Sequence, residues 1–229
     1  MAPRYRSFIP KTATERILAR YPNGAKERAE YLIGEEVVGI RDFHETGEPS
    51  LEKPLLRGRT HGTEYRWDTP GVLLSAEPCV EGVPHGTAKQ WLDGHLVRTY
   101  TMVRGTGIDL WWQLRSDGTP HLAEARYLRD GHREGFEWWI EEDQCRVYEE
   151  SHFRKGRLHG IERQWNREGR LRRGYPKYWV DATQVSKRAY LAACNKDRTL
   201  PPFRDQDNAP ERQFPPEIVK NLGPRRQQG

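Results

Sequence analysis

The sequence predicts a mostly β protein: an elongated single-layer antiparallel meander of six β-hairpin repeats, followed by a small helix-containing C-terminal cap. Three features predict this fold. A glycine recurs every 23 to 26 residues, an aromatic residue follows it at a nearly fixed distance, and the residues between them alternate in polarity. A recurrence of this length is typical of repeat arrays, and alternation with a period of two is typical of strands.

Each repeat is defined by two glycines and an aromatic residue. The first glycines are Gly34, Gly58, Gly82, Gly105, Gly131 and Gly156, and the second are Gly39, Gly62, Gly86, Gly107, Gly135 and Gly160. Five residues after the second glycine stand Trp67, Trp91, Trp112 and Trp165, and four residues after it stand Phe43 and Trp139. A lone hairpin is only marginally stable, so we expect these tryptophans, with Gly62, Gly86, Gly135 and Gly160, to form the structural core of the repeats.

The pattern divides the chain into four segments. Residues 1–26 form an N-terminal capping segment that contains a short helix capped by Thr14 and shields the edge of the first hairpin, and residues 27–174 form the six repeats. Residues 175–222 form a strand–helix and proline-rich cap, in which Ser186 is the expected N-cap of a helix through Asn195. Residues 223–229 are an expected disordered tail.

The repeats resemble a known family. Over residues 31–175 the spacing Gly-x3-Gly-x4-Trp-x3-Gly-x-Leu is similar to that of the variant MORN repeat, found in bacterial proteins of the YwqK family. That family is often described as antitoxin-like. The resemblance implies a β-hairpin array and a scaffold role in a bacterial cytoplasm, and it implies no particular reaction.

Composition and charge exclude several classes of function. No run approaches the roughly 18 apolar residues needed to span a bilayer, and Cys79, Cys145 and Cys194 show no paired spacing, so we expect a soluble cytoplasmic protein. Residues 27–174 carry 22 basic and 26 acidic side chains, and the basic excess lies at the two ends of the chain. A nucleic-acid partner is therefore not expected, because such proteins carry their basic stripe on the folded surface.

Two tryptophan pairs are candidate partner-binding residues. Trp111 precedes Trp112, and Trp138 precedes Trp139, so strand alternation places one member of each pair off the common core face. We expect Trp111 and Trp138 to be these outward members, since interfaces favour tryptophan. The competing interpretation is that the C-terminal tail covers them, with Phe203 or Phe214 packing on the sheet.

A basic run supplies the other candidate partner-binding residues. It comprises Arg163, Arg167, Arg170, Arg172 and Arg173. These side chains suit an acidic partner, or they form a solvated face balanced by neighbouring acids.

For the remaining clusters of polar residues we expect structural or solvated roles, and no catalytic or metal-binding role. His61, His85 and His159 recur about 10 Å apart in a stacked array, too far to share a metal, and are expected to bond a neighbouring turn carbonyl. The carboxylates at 141–143 and 149–150 are expected to be solvated. We therefore assign no catalytic residue, no metal and no cofactor.

The sequence thus predicts a non-enzymatic repeat scaffold that binds another protein, and the family resemblance implies an antitoxin-like form of this role. Two alternatives remain. The first is a module that binds an anionic membrane surface or phospholipid through the basic ends. The second is a small-ligand enzyme with a pocket under the C-terminal tail. The identity of the partner and the oligomeric state are left open.

Overall fold

The computed structural model describes residues 5–223 and confirms a mostly β fold. Antiparallel strands follow one another in meander order, and a small helical region lies near the C-terminus. The chain forms two compact units, which we call unit one, up to Gly105, and unit two, from Thr106 onward. None of the helices in the described residues is long and apolar enough to cross a bilayer.

Unit one contains ten strands within its described residues. They are β1 (Thr14–Arg20), β2 (Lys26–Ile33), β3 (Glu36–Phe43), β4 (Pro49–Leu56), β5 (Arg59–Thr60), β6 (Gly62–Thr69), β7 (Val72–Val80), β8 (Val83–Pro84), β9 (Gly86–Leu92) and β10 (His95–Val103). Each long strand pairs antiparallel with the next long strand, and the two-residue strands β5 and β8 continue the hairpins beside the turns.

Unit two contains the remaining described strands and both α-helices. The strands are β11 (Thr106–Leu114), β12 (Pro120–Arg129), β13 (His132–Ile140), β14 (Val147–Arg154), β15 (Arg157–Leu158), β16 (Gly160–Gln164), β17 (Lys177–Val180) and β18 (Thr183–Val185). The helices are α1 (Lys187–Cys194) and α2 (Pro216–Val219), with a short 3-10 helix at Asp205–Asn208 between them. Ser186 caps α1 as predicted, because its hydroxyl accepts a hydrogen bond from the Ala189 N–H.

The turns at one end of the sheet explain the first glycine of each repeat. Arg104 and Gly105 both have positive φ, 50° and 73°, the conformation of the tight hairpin turn whose twist matches that of paired strands. Consecutive turns are also linked to each other. The Gly105 N–H donates to the Pro84 carbonyl at 2.7 Å, and the Gly156 N–H donates to the Arg133 carbonyl at 2.9 Å.

The histidines bond the neighbouring turn, but through a different group from the one expected. The Nδ1 atom of His85 accepts a hydrogen bond from the Arg104 amide at 3.0 Å, and that of His159 accepts from the Asp181 amide at 3.2 Å. The predicted carbonyl partner is wrong for both, because the turn directs its amide groups toward the preceding repeat.

The second glycines are explained by close approach of a neighbouring side chain. A Cβ atom on Gly160 would lie 2.6 Å from the Cβ of His152, and one on Gly62 would lie 3.0 Å from the ring of Phe8. The first distance is shorter than real contacts of a Cβ atom and the second is tighter than most, so a side chain at either position would press on its neighbour. At Gly135 the nearest atom would be 3.9 Å away, and the positive φ of 88° is the reason for glycine there.

The repeating buried position lies five residues after the second glycine in most repeats. Trp91, Trp112 and Trp165 are buried there, and Trp67 is partly buried. In the fifth repeat this position is held by Ile140, which is 1% exposed, whereas Trp139 is only partly buried. The prediction that Trp139 belongs to the core is therefore wrong, and an isoleucine fills the space.

The N-terminal segment differs from its prediction. The expected helix at Thr14 is strand β1, which pairs antiparallel with β2 from Thr14 opposite Leu32 to Arg20 opposite Lys26. Before it, Ile9 is buried in a cluster with Ala29 and Phe43. The segment thus extends the sheet by one strand and covers one face of it, and the expected disordered tail lies outside the described residues except for Gly223.

Candidate binding faces of the second unit

The face of unit two that carries Trp138 is closed by the C-terminal segment. We call it the covered face and define it by Ala125, Trp138, Glu150 and Arg163, which are joined by direct strand pairing. The Phe214 ring meets the Trp138 ring edge-on at 5.6 Å, and Trp138 is 6% exposed. The prediction of an outward Trp138 is wrong, and the competing interpretation, with Phe214 packing on the sheet, describes this position.

A buried ion network fastens the C-terminal segment to this face. Glu150 lies 2.7 Å from the Arg163 Nη1 atom and 2.7 Å from the Arg212 Nε atom, and it accepts a hydrogen bond of 2.8 Å from the Trp138 indole. Burial acts to raise the pKa of Glu150, but Arg212 and Arg163 outweigh it and hold the pKa below its ordinary value.

The basic run is divided by this network. Arg163 is 2% exposed and paired with Glu150, so its prediction as a surface anchor is wrong. Because a buried guanidinium without a carboxylate would be strongly destabilising, Arg163 can be buried here only together with Glu150. The other members, Arg167, Arg170, Arg172 and Arg173, are exposed around the turns that follow β16, as a surface site requires.

A cleft lies between the covered face and the C-terminal segment. Its volume is about 530 Å³, and its lining includes Phe136, Trp138, Glu150, Arg204 and Arg212. This is the kind of cavity that the enzyme alternative requires. Both Glu150 oxygens are already engaged by the arginines and the indole, so this carboxylate is poorly placed to act as an acid or base.

The opposite face of the same strands carries tryptophans and carboxylates in one row. Trp111 pairs with Glu124, Glu124 with Trp139, Trp139 with Glu149, and Glu149 with Gln164. We call this the acidic face and define it by Trp111, Glu124, Trp139 and Glu149. Trp111 is partly exposed, as expected of an outward residue, while Trp112 is buried on the other side.

A second row runs beside the first on the acidic face. Asp109 pairs with Arg126, Arg126 with Glu137, and Glu137 with Ser151. Arg126 bridges the acids, with its Nη2 atom 2.6 Å from Glu124 and its Nε atom 3.3 Å from Asp109.

Glu137 is the most buried carboxylate of this second row. It is 1% exposed, and neither of its oxygens accepts a hydrogen bond from a described residue, although the Arg133 guanidinium lies 3.2 Å away. Burial raises the pKa of Glu137 to about 7, against the opposing effect of Arg133 and Arg126. The acidic face therefore holds a carboxyl group that changes charge near neutral pH.

Tyr148 adds a third aromatic ring to this region. It is 40% exposed and lies at the register shift between the Trp139–Glu149 and Ile140–Val147 pairs. Burial raises the pKa of Tyr148, and the next largest causes are the charges of Glu124 and Glu149. Its phenol thus lies within the field of the carboxylates that define the acidic face.

Sequence reasoning missed most of this face. It found Trp111, but it assigned Trp139 to the core and gave Glu124, Glu137 and Tyr148 no role. It expected both Glu149 and Glu150 to be solvated, whereas the strand places them on opposite faces and Glu150 is 3% exposed. Strict alternation along β12–β14 would have shown this separation, but the register shift at Tyr148 leaves no mark in the sequence.

No family model, no curated protein and no solved structure matches this chain. The resemblance to the variant MORN repeat therefore stays a prediction based on the glycine and tryptophan spacing.

Proposed function

We propose that the protein is a non-enzymatic repeat scaffold that binds another protein through the acidic face of unit two. An antitoxin-like capture of a partner is the form of this role that the YwqK resemblance implies. The main support is that Trp111 and Trp139 stay partly exposed on one face, while the chain covers the other face with its own C-terminal segment. Indole rings flanked by polar groups are typical anchors of protein interfaces.

The exposed arginines favour the membrane-surface alternative. Arg167, Arg170, Arg172 and Arg173 form a basic turn that would suit an anionic lipid surface. The acidic face would be repelled by such a surface, so the two functions depend on different residues and can be separated by mutation.

The first prediction separates these two functions. The full chain, immobilised and exposed to extract of its native host, is expected to retain a partner that the Trp111→Ala, Trp139→Ala double variant loses by about tenfold or more in affinity. The matched control, Arg170→Gln with Arg173→Gln, should retain it. Circular dichroism verifies that both variants are folded.

Two results would contradict the proposal. If the retained protein is lost with the arginine variant and kept with the tryptophan variant, the basic turn is the binding site. If both variants retain it equally, neither face is the interface.

A further inference from the structure

We propose that the segment bound by the acidic face is cationic: an extended peptide whose arginine or lysine side chains stack on Trp111, Trp139 and Tyr148 and pair with Glu124 and Glu149. This inference rests on the proposed function and specifies the chemistry of the partner.

The aromatic rings are spaced to take successive cationic side chains. Trp111 and Trp139 lie on β11 and β13, with the Glu124 residue of β12 directly between them. Adjacent strands are about 4.8 Å apart, so the two indoles start about 10 Å apart. A cation over an indole face is attracted by the ring, and Glu124 between the two rings, which also pairs with Arg126 at 2.6 Å, adds a shared ion pair.

The charge of the face is complementary to such a peptide. Strand pairing within the described part of unit two puts Asp109, Glu124, Glu137, Glu149 and Glu162 on this face, together with the basic residues Arg126, Arg133 and Lys177. Burial raises the pKa of Glu149, and the neighbouring charge of Glu162 is the next cause. A positive charge placed there would relieve this repulsion.

Glu137 contributes a buried carboxylate to this face. Its side chain is 1% exposed, yet neither carboxylate oxygen accepts a hydrogen bond from a described residue. Buried polar atoms are nearly always paired, and a carboxylate accepts several N–H groups. The Arg133 guanidinium, 3.2 Å away, pairs with this carboxylate, so Glu137 adds negative charge beneath the face and is not itself a contact for the peptide.

The extent of the face favours a peptide over a small cation or a lipid surface. The first row crosses β11, β12, β13 and β14 and continues to Gln164 of β16. At about 4.8 Å per strand it is longer than a single ammonium group can occupy. An anionic membrane would meet carboxylates of the same sign.

The test uses synthetic peptides and the full-length protein. A short peptide of alternating arginine and serine is expected to bind and to change the tryptophan fluorescence, with an affinity that falls as salt is raised. The same peptide with glutamine in place of arginine should not bind. Calorimetry measures both affinities.

Variants on the face locate the site. Trp139→Ala and the nearly isosteric Glu149→Gln should each weaken arginine-peptide binding by about tenfold, whereas Glu168→Gln, at an exposed turn, should leave it unchanged. Glu149→Gln removes the charge with little change of shape, so its effect on binding can be measured even if Trp139→Ala does not fold.

The outcomes separate this inference from the proposed function. Absence of arginine-peptide binding, or equal weakening by Glu168→Gln, would overturn the cationic partner. If the host protein still requires Trp111 and Trp139 in that case, the scaffold function stands with a partner of other chemistry. If peptides bind but no host protein depends on the tryptophans, the scaffold function fails and the cation-binding face remains.

Discussion

Trp138 and Trp139 are neighbours in the chain, yet the sheet gives them opposite surroundings. Trp138 lies under Phe214 with its indole bonded to Glu150, and Trp139 lies between Glu124 and Glu149 on the acidic face. Alternation along a strand correctly predicts that the two rings separate. The choice of the buried one was wrong because the alignment followed residue type, whereas the recurring buried position in this repeat is Ile140.

The second prediction compares the two tryptophans directly. Trp138→Ala is expected to lower the free energy of unfolding by about 3–5 kcal/mol, because it empties a packed site and removes a donor to a buried carboxylate. Trp139→Ala, at a partly exposed position, should cost about 1 kcal/mol. Urea denaturation followed by circular dichroism measures both, and equal losses would show that the two rings are equally embedded.

At the scale of elements, local pattern identified some strands and helices and misassigned others. The Ser186 cap and the helix that follows it are set by contacts a few residues apart, so the sequence shows them. The Thr14–Arg20 segment reads as a short helix by itself, but pairing with β2 determines that it is a strand. Long-range pairing of this kind overrides local preference.

The C-terminal segment is docked by a buried ion network, a ring contact and backbone hydrogen bonds. Arg212 reaches from that segment to Glu150 of β14, and Phe214 reaches Trp138 of β13. Glu150 then has both of its oxygens satisfied inside the protein. Backbone hydrogen bonds from Val147 to Pro210 and from Arg212 to Cys145, and the bond from the Trp165 indole to the Asn208 carbonyl, hold the segment as well.

The third prediction removes one member of this network. Arg212→Met leaves Glu150 short of a partner and is expected to cost about 3–5 kcal/mol. The C-terminal segment should then be cleaved faster in limited proteolysis. The tryptophan emission of the protein should shift to the red, because Trp138 becomes exposed to water. Arg170→Met, at an exposed turn, is the control and should change neither; unchanged proteolysis of Arg212→Met would show that the ion pair does not hold the segment.

At the scale of the whole molecule, two buried carboxyl groups of unit two give stability opposite dependences on pH. The pKa of Glu150 is lowered when folded, so its contribution is present above the ordinary carboxyl value near 4.5 and is lost as pH falls below it. The pKa of Glu137 is raised to about 7, so its ionisation opposes folding above that pH, and this opposition is relieved as pH falls from about 7 toward 4.5.

The fourth prediction isolates the Glu137 contribution. Above neutral pH, Glu137→Gln should raise the free energy of unfolding by an amount on the order of 2 kcal/mol, and the melting temperature with it, and the gain should shrink as pH is lowered toward the ordinary carboxyl pKa. Thermal melts over a pH series measure it, with Glu168→Gln as the exposed control. A gain that does not vary with pH would show that Glu137 does not titrate in this range.

The sequence by itself determined the β-hairpin repeat, its glycine turns and the recurrence of a large apolar side chain, because each depends on residues close together in the chain. Only the tertiary structure decided that Trp138 and not Trp139 is covered, that Arg163 is buried, and that Glu124, Trp139 and Glu149 share one face. The physical reason is that these outcomes depend on strand register and on the docking of a segment more than fifty residues away, at Arg212 and Glu150, which no local pattern encodes.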